Sequence, residues 1–528
     1  MSSLLVRNVR LVPVTPPELG GRHTASAAGD LDSGQTVAAH AGSEPVDVRV
    51  VDGVVTQVGP GLADDGSPVL EGEGRWAIPG LWDQHVHSAQ AGLMARRLDV
   101  SGTAGPEEVM ARVAEHVRSL DERPDADRTS VVSAWGHRSA TWSRPATVAE
   151  LDAISGDHPV VVVSGDGHNG WLNSLALQRL GAPATRHALD EDDWFPVFGR
   201  LSELTGDDDV EGAVADLVAD ANARGVVGIV DFEFGAGYAR WPERIAAGLD
   251  TLRVRPAVYP ELLDAVVEAG LQTGQDLAAG LITMGPLKII SDGSLNTRTA
   301  YCCEPYVDAG SLEFPRGKVN FPLDGSPRCC RRRTAHGAGL EIALHAIGDA
   351  AVEQALAAFE ATGAHGAIEH AQLVTWSDVP RMARLGVRAS VQPAHLLDDR
   401  DVTDVCWGDR SERCFVLRSF IDAGVVLRMG SDAPVSPLDP WLAMAAAVHR
   451  SADERSAWHP EQAITPAEAL GASTDGQGTI GVGSRGDVVL LDADPLVSGG
   501  GGVQAAARLR DMRVAATVVA GRVVHDAR

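Results

Sequence analysis

The sequence predicts an α/β protein in which a barrel of eight parallel strands carries an inserted subdomain and a small β-sandwich domain formed by both chain ends. Three observations support this architecture. β-rich segments alternate with alanine-rich helical segments in the middle of the chain, strand patterns occur at both ends, and the middle is longer than a plain barrel requires. Eight alternating β and α units of this kind close into a TIM (β/α)8 barrel.

Both chain ends contain short segments in which apolar and polar residues alternate, as they do in half-buried strands. These segments are Leu4 to Pro13, Val46 to Val51, Val54 to Val58, Asp487 to Leu491, Arg513 to Val519 and Arg522 to His525. Because neither end is long enough to form a good core alone, we expect residues 1–75 and 478–528 to form one composite β-sandwich domain. The stretch 16–44 is rich in Gly, Ser and Asp without apolar periodicity, which predicts a surface loop.

The predicted barrel occupies residues 76–477. Its strands are Trp76 to His87, Gly228 to Phe232, Arg253 to Tyr259, Leu287 to Ser291, Glu341 to His345, Ala367 to His370, Arg388 to Gln392 and Val425 to Gly430. A plain barrel needs roughly 250 residues, and most of the excess length lies between the first and second strands. We therefore expect residues 98–220 to form a partly helical inserted subdomain that covers the mouth of the barrel.

Charge and hydropathy exclude several classes of function. The formal net charge of -27 predicts repulsion from phosphate backbones and anionic lipid, so nucleic acid is not an expected partner. No apolar run reaches the roughly 18 residues that indicate a membrane span, and the amino terminus lacks a signal-peptide pattern. The cysteines show no C-x-x-C spacing, which indicates neither a zinc knuckle nor a disulfide framework, so we expect reduced thiols. We expect a cytoplasmic protein, without membrane contact, whose partner is a small-molecule substrate. The sequence leaves open whether the protein forms a homodimer.

Six polar residues stand at the carboxyl ends of predicted barrel strands, where such barrels place catalytic groups. His85 and His87 end the first strand, and strand alternation points both imidazoles to one side, where they can share a metal ion. The others are Lys288, His345, His370 and Asp432. Any one of them alone is equally well explained by core packing or a loop. Converging at one barrel mouth, such buried groups would be costly unless something such as metal ions satisfied them.

The motifs around these residues resemble those of the amidohydrolase superfamily, in particular its branch of YtcJ-like and N-substituted formamide deformylase proteins. They are His85-Val86-His87, Lys288-Ile289-Ile290-Ser291-Asp292-Gly293-Ser294-Leu295, His345-Ala346-Ile347-Gly348-Asp349, Glu369-His370-Ala371-Gln372, Gly430-Ser431-Asp432-Ala433-Pro434, and Gly165-Asp166-Gly167-His168 followed by Trp171, Asn173 and Ser174. The similarity spans nearly the whole chain, as far as Gly486-Asp487-Val488.

The resemblance implies a metal centre with one or two divalent ions. In the superfamily, the H-x-H pair and the last-strand aspartate hold one ion, the histidines after strands five and six hold a second, and a carboxylated lysine bridges them, although some branches keep one ion. This implies His85, His87 and Asp432 on one ion, His345 and His370 on the other, and carboxylated Lys288 between them. An unmodified ammonium has no acceptor and cannot ligate a cation. Zinc suits such a ligand set best.

The expected reaction is hydrolysis of a C–N bond in an amide, formamide or related small molecule by metal-activated water. Asp432 is the expected catalytic residue, which takes the proton from water and passes it to the leaving nitrogen. Deamination of a heterocycle, or hydrolysis of an ester or lactone, would use the same fold and ligands. A metal-free structural relative is the remaining alternative, although all six candidate residues are present.

Seven further residues are predicted to line the substrate pocket or to support the metal ligands. They are His168, Trp171, Asn173, Asp292, Arg298, Gln392 and His395. The resemblance places the first three near the substrate, and the last three follow catalytic strands, where they can bind a carboxylate or an amide. Asp292 is equally well explained as a helix N-cap. His137 stands where the resembling family has an acidic residue, which indicates a different substrate preference.

Overall fold

The structure, a computed structural model, describes residues 3–16, 44–122, 129–139, 142–205, 207–320, 335–453, 455–496 and 501–528. Its strands in this part of the chain are β1 (Ser3–Leu11), β2 (Val46–Val51), β3 (Val54–Gly59), β4 (Val69–Glu71), β5 (Trp76–Pro79), β6 (Leu81–Val86), β7 (Leu98–Asp99), β8 (Val132–His137), β9 (Val160–Ser164), β10 (Asn169–Leu172), β11 (Leu189–Asp190), β12 (Val226–Asp231), β13 (Arg253–Pro256), β14 (Asp276–Ala278), β15 (Ile282–Thr283), β16 (Leu287–Ile290), β17 (Ile342–Ala346), β18 (Gly366–His370), β19 (Arg388–Val391), β20 (Leu427–Met429), β21 (Val488–Leu491), β22 (Val514–Val519) and β23 (Arg522–Asp526). The predicted loop 16–44 lies almost wholly outside the described residues.

The α-helices of the described part lie between the strands, and the last helix lies between β21 and β22. They are α1 (Ser88–Ala95), α2 (Pro106–Asp121), α3 (Val148–Asp152), α4 (Ser174–Arg179), α5 (Glu191–Phe198), α6 (Ser202–Thr205), α7 (Asp207–Ala223), α8 (Gly237–Ala246), α9 (Leu263–Glu268), α10 (Asp349–Thr362), α11 (Asp378–Leu385), α12 (His395–Cys406), α13 (Leu417–Asp422), α14 (Pro440–His449), α15 (Pro466–Ala472) and α16 (Gly501–Arg510). Among the described residues, no helix is both long enough and apolar enough to span a membrane.

Eight parallel strands follow one another around a ring in chain order. Strands β6, β12 and β13 form one arc, and β16 to β20 form the other. Single parallel bridges join the arcs, one between Val258 and Leu287 and one between Val86 and Ala433. The backbone N–H of Lys288 donates to Val258 (2.7 Å), which completes the first junction. The predicted TIM barrel is confirmed.

The barrel strands form because they are short apolar runs buried on both sides, as parallel strands under helices are. All residues of β17 and β18 are buried. Helix α10 covers this part of the barrel with Val352, Leu356 and Phe359, whose spacing places them on one face of the helix. The helix ends at Gly363, which adopts the left-handed conformation (φ 67°) that favours glycine. The chain therefore turns back after the helix and enters β18 at its amino end.

The predicted first barrel strand, Trp76 to His87, is in fact two strands. β5 pairs with β1 and β21 in the sheet of the chain ends, whereas β6 pairs with β12 in the barrel. Gly80 lies between them, and a Cβ atom there would stand 2.3 Å from the side chain of Val227. The chain thus changes sheets at a single glycine, so the terminal sheet extends beyond residue 75 into the stretch assigned to the barrel.

Strands from both chain ends share one sheet, in the order β23-β22-β21-β5-β1-β2-β3, with β4 beside β1. A register shift between Val6 and Val9, with Asn8 at a positive φ of 57°, bends β1 so that its two halves pair with different neighbours. Residues from both ends, including Leu11 and Val488, pack in one hydrophobic core. The sequence pattern did not indicate β4 or α16. The exact limits 1–75 and 478–528 stay a prediction.

The segment after β6 contains a five-stranded sheet of its own, in the order β11-β10-β9-β8-β7. Every residue of β9 is buried, because apolar clusters cover both faces of this sheet. Helix α2 packs on one face through Val109, Val113 and Val117, which recur every fourth residue. Helix α7, which the predicted insertion 98–220 includes, packs instead against α1 and the barrel.

Candidate active site

A cavity of about 100 Å³ lies at the carboxyl ends of the barrel strands. The barrel lines it mainly with polar side chains, and the inserted segment adds aromatic ones. The barrel residues include His85, His87, Lys288, His345, His370 and Asp432, and those of the insertion are Trp135, Arg138, Asp166, Gly167, His168, Phe195 and Phe198. All six residues of the predicted constellation therefore meet at one cavity, and the insertion supplies a wall above the barrel mouth.

His85 is held in one orientation by a buried carboxylate. Its Nδ1 donates to Glu369 Oε2 (2.9 Å), a partner that sets the tautomer. The lone pair of Nε2 then faces the cavity, where Lys288 Nζ lies at 3.2 Å and Asp432 Oδ1 at 3.4 Å. Burial raises the pKa of Glu369 to about 7, although the Lys288 ammonium opposes this rise. His85 is thus presented as a neutral ligand.

Asp432 is shared by two groups of side chains whose donor atoms all lie within 4.8 Å of one another. The first group adds His85 and His87, as the sequence predicts, and the second adds His370 and His395. The second group differs from expectation, because His395, predicted to bind substrate, stands where His345 was expected. Asp432 Oδ2 lies 3.8 Å from His395 Nε2.

The backbone around Asp432 brings it to the histidines of the first strand. Asp432 adopts a positive φ of 58° just after β20, and its N–H donates to the carbonyl of His85 (2.7 Å). Gly430 permits this approach, since a Cβ atom there would lie 2.7 Å from the backbone nitrogen of His85. Burial alone would raise the pKa of Asp432, but His85 and a hydrogen bond from His87 outweigh it and hold the pKa well below its usual range.

His345 lies beside His370 but turns away from the shared aspartate. The two ring centroids are 4.5 Å apart, while His345 Nε2 lies 3.3 Å from the Gly293 carbonyl and 3.6 Å from Asp292 Oδ1. Asp292 is fully buried and accepts from the backbone N–H groups of Ile347 and Gly348. It therefore fixes the loop that follows β17 and the ring of His345, and does not reach the cavity.

Lys288 places an amine among the histidines and the aspartate of the cavity. Its side chain is buried, and Nζ lies 4.1 Å from the centroid of the Phe232 ring. Burial lowers the pKa of Lys288 to about 8, against the opposing effect of Glu369 and Asp432. An appreciable fraction of unprotonated amine is therefore present near neutral pH, which is the form that can react with an electrophile.

Three imidazoles of the cavity, those of His85, His345 and His370, are held in their neutral form. Burial is the main cause; it lowers the pKa of His345 to about 3 and those of His85 and His370 well below the ordinary value. The nearby Lys288 ammonium lowers all three further. Neutral imidazole is the form that binds metal ions.

Of the predicted substrate-binding residues in the insertion, His168 alone lines the cavity. Its ring lies 6.4 Å from that of His345 and edge-on to Phe195. The neighbouring Asp166 accepts hydrogen bonds from Asn296 Nδ2 (2.8 Å) and Ser294 Oγ (3.3 Å) of the barrel. Asp166 thus ties the insertion to the barrel beside His168.

Trp171 and Asn173, predicted near the substrate, lie instead in the core of the insertion. Trp171 is fully buried and donates from Nε1 to the carbonyl of Thr147 (2.8 Å). The Asn173 side chain caps helix α4, accepting from the N–H groups of Ala176 (2.9 Å) and Val160 (3.0 Å). Both predictions of a substrate contact are corrected, because packing and backbone hydrogen bonds occupy these side chains.

Arg298 and Gln392 also lie outside the cavity. Arg298 forms an ion pair with Asp308 through both Nε (2.8 Å) and Nη2 (2.7 Å), so its guanidinium is already engaged. Gln392 is buried behind His85, where its Nε2 donates to Ser390 and lies 3.4 Å from His85 Nδ1. These two substrate contacts are corrected too; Gln392 supports a ligand from behind.

Sequence reasoning missed several residues that shape the site. Asp83 Oδ1 accepts from the backbone N–H groups of His85 (3.0 Å) and Ser431 (2.9 Å), tying the first ligand strand to the last. Its place two residues before the H-x-H pair was a usable signal. Arg138 crosses from the insertion to Asp398 (3.0 Å), and only tertiary structure shows this pair.

The barrel, with a cluster of histidines and one aspartate at its carboxyl end, defines a candidate metalloenzyme. The model of the amidohydrolase family matches residues 69–525, and this chain belongs to that family. It is 26% identical over 506 residues to the putative amidohydrolase YtcJ of Bacillus subtilis, covering 87% of this chain and 92% of that protein.

Two further similarities support the same relationship. The N-substituted formamide deformylase of Arthrobacter pascens is 24% identical over 519 residues, with 89% of this chain and 92% of that protein covered. A metal-dependent hydrolase from Pyrococcus horikoshii superposes with a TM-score of 0.75 at 22% identity, over 94% of this chain and 99% of that one. The second similarity shows that the fold is shared.

Proposed function

We propose that this protein is a metal-dependent hydrolase that cleaves a C–N bond of a small amide, formamide or related molecule. The observation that carries the proposal is the convergence of four imidazoles on one ionised carboxylate, Asp432, at the barrel mouth. The deformylase from Arthrobacter pascens, whose name specifies an N-substituted formamide, supports the choice of bond.

The donor set fits a divalent ion. His85, His87 and Asp432 would hold one ion, and His370 and His395 with Asp432 offer a second position. Imidazole and carboxylate ligands suit zinc best, although iron, manganese and nickel accept them as well. A bound ion would supply the Lewis acidity that polarises a carbonyl and makes water nucleophilic near neutral pH.

Lys288 fits the group as a carbamate better than as an ammonium. The ammonium would first lose a proton, and the resulting amine would add to carbon dioxide to form N–COO⁻ with release of a second proton, so that a cation becomes a ligand with two oxygens. The lowered pKa of Lys288, about 8, favours this addition because the free amine is the reactive form. An ammonium 3.2 Å from His85 Nε2 would instead repel a divalent ion.

The side chains of this chain account for the proton movements of hydrolysis. Water adds to the carbonyl carbon and gives a proton to Asp432, whose carboxylate is ionised and faces the cavity. Asp432 then returns that proton to the leaving nitrogen as the C–N bond breaks, which releases an acid and an amine. His85 stays fixed throughout by Glu369.

The test combines metal analysis with a hydrolysis screen over N-formyl, N-acyl and cyclic amides, with esters and lactones as the rival class. We expect stoichiometric transition metal, turnover abolished by chelators and restored by added metal, and faster cleavage of amides than of esters. His87→Asn should lose metal and activity together. His187→Asn is the matched control, because His187 is exposed and lies outside the cavity.

Lys288→Ala tests the carbamate separately. It should lower metal content as well as turnover, and short carboxylic acids supplied with metal should restore part of both. A purified protein without metal, with turnover that chelators leave unchanged, would overturn the proposed function. A Lys288→Ala variant with full metal content and full activity would overturn the carbamate.

A further inference from the structure

A second pocket, of about 160 Å³, adjoins the cavity of the candidate active site. Gln90, Phe198 and Phe234 line both spaces. The ring of Phe234 lies 6.2 Å from that of His87, which ties the shared wall to the metal-ligand cluster. We call this space the side pocket. It is close enough to receive a part of a substrate that does not react.

Arg97 lines the side pocket with a guanidinium that forms no direct ion pair with a described residue. Its Nη1 is wholly buried without a hydrogen-bond partner, and no described acidic side chain pairs with this guanidinium. The face of Trp135, which lines the active-site cavity, lies 5.7 Å from Arg97 Cζ. Burial lowers the pKa of Arg97 to about 10, so it remains charged at neutral pH. A guanidinium nitrogen that is buried without a partner is costly, and an anion would relieve that cost.

The acidic residues of the side pocket are already engaged. Glu233 accepts from the backbone N–H and the side-chain Nε2 of Gln90 (3.0 and 2.8 Å). Asp231 accepts from Ser88 Oγ (2.9 Å) and Trp241 Nε1 (2.7 Å). Glu233 is the carboxylate that acts most on Arg97, yet its two oxygens are directed at Gln90.

The other two cations of the side pocket have partners. Arg240 and Arg244 both bind Glu211, at 2.9 and 2.7 Å. Among the described residues that line the pocket, Arg97 is therefore the cation left for a ligand. The preceding residue, Arg96, differs in this respect, because it pairs with Asp216 on the surface.

The amino terminus of helix α8 faces the same space. Gly235, Ala236 and Gly237 line the side pocket, and Ala236 caps the helix without a side-chain hydrogen bond. The first turn contains no acidic residue. Uncapped N–H groups and the helix dipole favour a negative charge at this end. Two independent features, the unpaired Arg97 and this helix end, thus point to an anion in one pocket.

We infer that the side pocket binds a carboxylate of the substrate, between the Arg97 guanidinium and the amino terminus of α8. The substrate class is then amides that carry a carboxylate away from the scissile bond. This inference rests on the proposed function for the reaction but not for the anion site. A carboxylate fits because a planar guanidinium can donate to both of its oxygens.

The anion site is tested first without any reaction. Hexanoate and hexanamide are titrated calorimetrically into the metal-loaded wild type, Arg97→Met and Arg96→Met. We expect wild type and Arg96→Met to prefer hexanoate, and Arg97→Met to lose roughly tenfold or more in hexanoate affinity, as for one charge-assisted pair. Binding of hexanoate to the metal centre would persist in Arg97→Met, so the comparison isolates the side pocket.

Stability distinguishes a ligand-binding arginine from a structural one. Without ligand, Arg97→Met should be at least as stable as wild type, since a guanidinium with a buried and unpartnered nitrogen has been removed. Added hexanoate should raise the Tm of wild type more than that of Arg97→Met. A strong loss of stability in ligand-free Arg97→Met, or equal hexanoate affinity in both proteins, would overturn the anion site.

The substrate class is tested with ω-formylaminoalkanoates of increasing chain length and the matching N-alkylformamides. Wild type should show the higher kcat/KM for the carboxylates, mainly through KM, and Arg97→Met should lose this preference while still cleaving the neutral amides. Cleavage of both series without preference would refute the inference and leave the proposed function standing. Hexanoate binding that depends on Arg97, without cleavage of any amide, would refute the proposed function and leave the anion site standing.

Discussion

Acid should destabilise the insertion through one buried histidine, His137. Both ring nitrogens of His137 are buried, and the centroid of the ring lies 5.0 Å from that of Trp142. Burial lowers its pKa from 6.5 to about 4, with Asp166 opposing the shift. A lowered histidine pKa means that the unfolded chain binds the proton more tightly. Stability is therefore fully present above about pH 6.5 and is lost as the pH falls towards about 4.

The size of the effect follows from the pKa difference. At about 1.4 kcal/mol per pKa unit, the full loss is about 3 kcal/mol, and at about pH 5 it is about 2 kcal/mol. His137→Leu removes the titrating group and leaves no polar atom unsatisfied. Near neutral pH the variant should match wild type in stability, and at about pH 5 it should be the more stable protein by about 2 kcal/mol.

Urea unfolding at both pH values, followed by tryptophan emission, measures this difference. Other buried histidines and metal release also act in acid, but they are common to both proteins and cancel. His187→Leu, at an exposed histidine, should show no such gain. If wild type and His137→Leu lose the same stability between the two pH values, His137 is not buried in a neutral form and the reasoning fails.

Three substitutions test the supports around the barrel. Asp475→Asn should cost about 3–5 kcal/mol of stability, because it removes the buried counterion that binds Arg255 at 2.7 and 2.8 Å; an unchanged urea midpoint would exclude this role. Asn173→Ala should cost about 2–3 kcal/mol without changing KM, whereas a raised KM at unchanged stability would restore the substrate contact. Gly80→Ala should cost about 1–3 kcal/mol, and Val227→Ala in the same chain should recover part of it if the contact at 2.3 Å is the cause.

The barrel strands could be predicted because each is a compact apolar run that ends in a polar residue. The run from Ile342 to Ala346 is an example, since burial on both faces requires apolar residues throughout. The change of sheet at Gly80 could not be predicted, because the apolar pattern continues on both sides of it. Helix α7 was assigned to the insertion for a similar reason: its amphipathic pattern shows that one face is buried, but not against which partner.

The positions of the candidate ligands could be predicted because they depend on strand ends, which the chain order determines. Which atoms lie within a few ångströms of one another depends on the rotation of each side chain. His395 therefore stands close to Asp432, while His345 turns to Gly293. The sequence did not indicate that Arg97 could bind an anion. Whether an arginine has an ion-pair partner depends on the residues that the fold brings near it, and the adjacent Arg96 does have one.

Barrel closure and assembly of the first ligand group are physically the same event. The N–H of Asp432 donates to His85 (2.7 Å), and the N–H of His87 donates to Ala433 (2.8 Å), so the hydrogen bonds that join the last strand to the first come from the ligands themselves. The Asp83 carboxylate also accepts a hydrogen bond from the backbone of each of these two strands. A chain in which this junction is open has neither a closed sheet nor the three donors within reach of one ion. Ion binding would then stabilise the closed barrel by mass action, which links metal affinity directly to the stability of the fold.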